Sequence, residues 1–129
     1  GGIPGRLIWR APTCVAMVDI RPLNRGHVLV IPIAEVDRWT DLPPDTAAHC
    51  TRVAHAVGRA QMQSFAPDRI GLMIAGFEVP HTHLHVVPLD HMGHLDFGQA
   101  DTDADPSDLD DVAEELRAAL RSDGHTEVV

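Results

Sequence analysis

Residues 80–88 read "PHTHLHVVP", a stretch that sets His81, His83 and His85 at alternate positions. Imidazole changes charge near neutral pH, so such a row can attack an electrophile, shuttle protons or hold a metal ion. On a β-strand the three rings share one face, while Thr82, Leu84 and Val86 pack on the other. The row then spans about 13 Å at ~3.3 Å per residue. A zinc ion needs ligands converging at ~2.0–2.1 Å, which one straight strand makes awkward. A metal would therefore take two of these rings plus His27, His91, His94, Asp90 or Asp96. A ligand with several charged oxygens in line uses the whole row: a neutral central imidazole attacks phosphorus, and a protonated neighbour stabilises the leaving oxygen. The residues alone leave three readings open: phosphoryl-centred catalysis, a histidine-rich metal site, and surface histidines without a chemical role.

The rest of the chain must present that row. "CVAMVDI" (14–20) and "HVLVIP" (27–32) read as strands joined by the turn-forming "RPLNRG", and "RLIWR" (6–10) alternates weakly before "APT". From Pro44 to about Phe65, Ala47, Cys50, Ala54, Val57 and Gln61 recur three and four apart, as do Val53, Ala56 and Ala60, which predicts a long helix. "RIGLMIAG" (69–76) predicts a buried fourth strand and "HTHLHVVP" (81–88) a fifth. After an irregular stretch, 89–105, Pro106–Arg121 predicts an amphipathic helix capped by Asp105 or Ser107. The order β-β-β-α-β-β-α gives an α+β fold: a five-stranded antiparallel sheet with one long helix and a C-terminal helix. Residues 1–100 are expected to form the main domain, with 101–129 an acidic segment packed on it.

Composition narrows the function classes. The formal net charge is −9, and ten of the nineteen acids lie in residues 101–129. Such a surface argues against binding nucleic acid by phosphate neutralisation. There is no lysine and no tyrosine, so Schiff-base lysines and tyrosine nucleophiles are excluded. No serine sits in G-x-S-x-G, and neither a Walker-type phosphate loop nor G-x-G-x-x-G is present. Cys14 and Cys50 stand apart, with no C-x-x-C, and are expected to be reduced and near the core. Apolar stretches are strand-sized and no secretion-signal pattern opens the chain, which reads as cytoplasmic with no membrane partner. No cofactor is implied.

"HTHLHVV" resembles the His-φ-His-φ-His-φ-φ motif of the histidine-triad (HIT) family, with Thr82 at one apolar position. "IPGRLIW" (3–9), "CVAMVDIRPLNRGHVLVIP" (14–32) and "AGFEVPH" (75–81) resemble further family stretches in the family's order. The likeness runs from residue 3 to about 88. It implies a HIT-like fold, a homodimer with a continuous sheet, and a nucleotidyl hydrolase or transferase. Such an enzyme cleaves at the α-phosphate of a nucleoside phosphoramidate, dinucleoside polyphosphate or related ester through a nucleotidyl-histidine. Carried over, His83 is the nucleophile, His85 contacts the phosphate and leaving group, and His81 and His27 orient and support. Asp19 would bind the ribose, and Ile3, Met17 and Ile20 would line the base of a purine, taken as adenosine. Glu78 stands roughly where relatives carry a neutral phosphate donor. Some relatives hold a structural zinc through an N-terminal C-x-x-C and a histidine. This chain lacks the cysteines and has Glu35 near the histidine's position, so no metal is expected. A histidine-rich metal protein and a nucleotide-binding module with little catalysis are the alternatives.

Overall fold

Runs of β-branched and apolar residues form five strands in the computed structural model, which describes residues 6–129: β1 (Arg6–Arg10), β2 (Cys14–Val18), β3 (Val28–Pro32), β4 (Arg69–Met73) and β5 (Leu84–Leu89). They make one antiparallel sheet in the order β1-β2-β3-β5-β4. Helix α1 (Pro44–Phe65) links β3 to β4, and α2 (Pro106–Ser122) follows the sheet. The expected α+β architecture is therefore observed.

Period-2 alternation divides each central strand between two environments. Val28 and Val30 of β3 and Leu84 and Val86 of β5 join a core with Val53, Val57 and Ala60 of α1 and Leu116 and Leu120 of α2. Leu29 and His85, paired across β3 and β5, point to the opposite face. Asp105 caps α2 by accepting from the Ser107 N–H at 3.0 Å. The acids of α2 also reach back: Arg25 bonds Asp108 at 2.9 and 3.0 Å, and Arg6 pairs with Asp110. Cys14 and Cys50 are buried and unpaired by any disulfide.

The sheet's two edges differ. The C-terminal tail covers β1, with the Arg10 N–H donating to the Glu127 carbonyl at 2.9 Å and the His125 ring tilted against Trp9 with centroids 5.0 Å apart. Strand β4 forms the other edge and leaves Leu72 half exposed.

The fifth strand begins three residues later than the histidine alternation predicts. The β3·β5 ladder ends at Val30↔Leu84, and continuing its register would set Thr82 opposite Pro32, which has no N–H to give. Thr82 turns instead to the segment after β3: its N–H and Oγ1 both bond the Val36 carbonyl at 2.7 Å. Residues 89–105 also carry unexpected order, as two short 3-10 turns, Met92–Leu95 and Phe97–Gln99.

Candidate active site

The histidine face of the sheet opens on a cavity of about 390 Å³. His81, His83 and His85 line it together although only His85 lies on a strand. Leu29 and Ile31 of β3 form the floor beside them, Asp19 and Arg21 stand at the end of β2, and Glu78 and Val79 come from the approach loop. Phe97, Ala100 and Thr102 close one side, held there in part by the Asp101 N–H donating to the Pro22 carbonyl at 2.9 Å. The Phe97 ring meets His85 edge-on with centroids 5.0 Å apart.

One backbone amide sets a chain of tautomers. The Leu23 N–H donates to His27 Nδ1 at 3.0 Å, so Nδ1 is an acceptor and neutral His27 carries its proton on Nε2. That Nε2–H faces His85 Nδ1 at 3.0 Å, which makes Nδ1 an acceptor in turn and leaves the His85 proton on Nε2. His85 Nε2 is buried and has no partner among the described residues. It is a donor held ready for something that enters the cavity. Burial, followed by neighbouring imidazolium charge, lowers both His27 and His85 to about 4, so both are neutral at pH 7.

His83 has the opposite arrangement. Its Nδ1 lies 2.8 Å from the His81 carbonyl, an acceptor only, so Nδ1 carries the proton and neutral Nε2 carries a lone pair. His81 spends its Nε2–H on the Pro32 carbonyl at 2.7 Å. Three rings that look alike in the sequence thus do three different things: one is an anchor, one presents a lone pair and one presents an N–H.

The clamp behind these rings is Gln61. Fully buried in α1, its Nε2 donates at 2.9 Å both to the Gly26 carbonyl and to the Val86 carbonyl, the neighbours in sequence of His27 and His85. Gly26 has φ of 95°, and an added Cβ would lie 2.6 Å from the Phe65 ring. Gln61 carried a signal, as the one long polar residue in the helix's inward-facing row. Phe97, Ala100 and Thr102 carried none, because their stretch has no periodicity.

Asp19 lies where expected, at the cavity, and does two jobs: Oδ1 accepts from the Arg21 N–H at 2.9 Å, and Oδ2 lies 3.5 Å from His27 Nε2. Burial raises its carboxyl pKa, opposed by the Arg21 amide and nearby positive charge. The residues expected with it to line the base are not among those lining the cavity. Met17 is buried one strand further out, paired with Leu29, which covers the floor in its place. Ile20 follows the end of β2 and is 46% exposed, away from the cavity wall. Ile3 lies outside the described residues. His27 does not line the cavity but stands behind His85.

Glu78 enters the cavity with Oε2 3.3 Å from His83 Nε2. Burial alone would raise its carboxyl, but its own backbone amide and the neighbouring His83 and His85 rings bring it below the usual carboxylate range. Among the described residues, two sets of ligand atoms lie within 4.8 Å of one another, Asp19–His27–His85 and Glu78–His83–His85. The first requires breaking the His27–His85 hydrogen bond. The second uses atoms that face the cavity.

A HIT domain model matches residues 1–92. An Arabidopsis thaliana protein named bifunctional bis(5'-adenosyl)-triphosphatase/adenylylsulfatase FHIT is 36% identical over 90 residues, 66% of this chain and 50% of that protein. A Schizosaccharomyces pombe asymmetrical bis(5'-nucleosyl)-tetraphosphatase is 30% identical over 91 residues, 67% of this chain and 50% of that protein. The chain thus matches about half the length of these two hydrolases. Among solved structures, a Zn-bound histidine triad family protein from Mycobacterium smegmatis superposes with a TM-score of 0.77 at 33% identity, covering 93% of this chain and 86% of that one. Matched over most of its length, and with its three alternating histidines on one cavity, the chain belongs to the histidine-triad family.

Proposed function

We propose that the protein is a nucleotidyl hydrolase or transferase acting at the α-phosphate of a purine nucleotide, with adenosine as the base. His83 Nε2 attacks phosphorus, the P–Nε2 bond forms as the bond to the leaving group breaks, and the leaving group takes a proton from solvent, which the hydrolytic water gives back when it cleaves the P–N bond. Water then attacks the nucleotidyl-histidine and returns free His83. His85 supplies its Nε2–H to a phosphoryl or leaving-group oxygen, His27 fixes that proton from behind, and His81 anchors the loop. The single observation that carries this reading is the hydrogen-bond pattern behind adjacent rings: the His81 carbonyl leaves a lone pair on His83 Nε2, and the chain from the Leu23 amide leaves a donor on His85 Nε2. In support, two relatives are named as nucleotide hydrolases. Asp19 would take the ribose hydroxyls, a carboxylate accepting two hydrogen bonds.

The molecule would act as a homodimer paired through β4, an open edge beside the exposed apolar Leu72 and Met62. Residues 101–129 would belong to the same folding unit, and a cytoplasmic setting suits the two free thiols. Incubation with AMP phosphoramidate should release AMP, and His83→Ala should remove that turnover. Equal rates from the two proteins would contradict the assignment.

A metal-binding reading is favoured by the Glu78–His83–His85 cluster and by the zinc-bound relative. Zinc there would occupy the lone pair that catalysis needs. Stoichiometric zinc in protein purified without added metal, lost in His83→Ala, would favour this second reading.

A further inference from the structure

The approach loop is the part of the cavity that the tautomer chain does not govern. Glu78 stands on it beside Val79, which is 49% exposed, and Phe77, which is 96% exposed. Its carboxylate faces the attacking nitrogen of His83 rather than solvent alone. Among the described residues, the cavity wall otherwise holds one arginine, Arg21, against the two carboxylates Asp19 and Glu78. The rest of the wall is apolar, Leu29, Ile31, Phe97 and Ala100 beside Val79, apart from the Thr102 hydroxyl.

A polyphosphate or sulfate leaving group brings negative charge to within a few ångströms of the attacked phosphorus. It needs cations or a row of neutral donors to receive that charge. Here a fixed negative charge stands beside the nucleophile and a single arginine opposes it. We propose that Glu78 is a specificity-determining residue that filters substrates by leaving-group charge, admitting a neutral or cationic leaving group such as an amine and rejecting anionic phosphate or sulfate. The inference rests on His83 being the nucleophile. It separates this chain from the relatives named for triphosphate, tetraphosphate and adenylylsulfate hydrolysis.

The same carboxylate favours the intermediate. Once Nε2 is bonded to phosphorus, the His83 ring still carries its Nδ1 proton and becomes cationic, and a carboxylate close to that ring stabilises it. When the leaving group is an amine, the proton it needs on departure adds positive charge that Glu78 accommodates and a polyphosphate site would not.

The test compares kcat/KM for AMP phosphoramidate and for diadenosine triphosphate in the intact protein, in Glu78→Gln and in Glu78→Asp. The intact protein should prefer the phosphoramidate. Glu78→Gln should shrink that preference by at least about tenfold, since removing one like charge near the leaving group lowers the barrier to anionic departure. Glu78→Asp, which keeps the charge, should retain most of the preference, and raising the salt concentration should narrow it in the intact protein more than in Glu78→Gln. An equal preference in the intact protein and Glu78→Gln overturns the charge filter while leaving the nucleophile assignment standing. Absence of His83-dependent turnover of either compound overturns the nucleophile assignment, and the filter with it.

Discussion

The cavity contains two histidine pairings with opposite characters. His27 and His85 meet in the interior, almost wholly buried, with every proton traceable to the Leu23 amide. His83 and Glu78 meet at the mouth, where the carboxylate is 41% exposed on a loop and faces a nitrogen whose ring carries its proton on the far side, at Nδ1. The first pairing is set by the fold before any ligand arrives, so it can position a donor at no further cost. The second changes with whatever enters. Chemistry built on the first and selectivity built on the second can vary separately, which is how one scaffold can keep a reaction while altering its substrates.

Breaking the interior pairing should have the largest effect. His27→Ala removes the proton source for His85 Nδ1 and strands the Leu23 amide, and kcat on AMP phosphoramidate should fall by about 10²-fold, in the range found for loss of one positioned acid–base group. The fall should appear in kcat more than in KM, measured by steady-state kinetics.

Acid should break the same pairing without mutation. Both rings are held near 4, against about 6.5 in an unfolded chain, so on acidification the unfolded state takes up protons first. Stability is complete above about pH 6.5 and is lost as pH falls toward about 4, by on the order of 3 kcal/mol for His27 alone. Urea midpoints across that interval should drop. A flat profile would mean that the rings are solvated.

Gln61→Leu tests the clamp that joins the pairing to α1. It leaves the Gly26 and Val86 carbonyls without their donor, and should cost about 2 kcal/mol in denaturant unfolding. At the outer extreme, Arg25→Ala removes the half-exposed pairing with Asp108 and should cost less than about 1 kcal/mol, with the difference fading at high salt.

Legibility in the sequence followed periodicity. Pro44–Phe65 and the C-terminal helix were readable because long segments repeat their inward residues every three or four positions and carry Pro or Asp at their starts. The alternating histidines correctly placed three rings on one cavity, but the strand carrying them was overextended. The proline at the end of β3, not the histidine run, decides where the ladder stops. The cavity wall at Phe97–Thr102 was unreadable, since two 3-10 turns leave no regular spacing and their order depends on a distant bond to Pro22. Met17 and Ile20 came from resemblance alone, and local periodicity says nothing of their role: Leu29 lies between Met17 and the rings, and Ile20 falls after the strand has ended. Proton positions on the three rings belong to tertiary contacts and have no sequence signal at all.

The site at which the nucleotide becomes attached separates the roles of His83 and His85 most directly. Intact-mass analysis of protein quenched within milliseconds of mixing with AMP phosphoramidate, followed by peptide mapping, should find one added AMP group, on His83, and none in His83→Ala. Turnover with no adduct on that residue, or an adduct on His85 in its place, would contradict the assignment of lone pair and donor made from the hydrogen bonds.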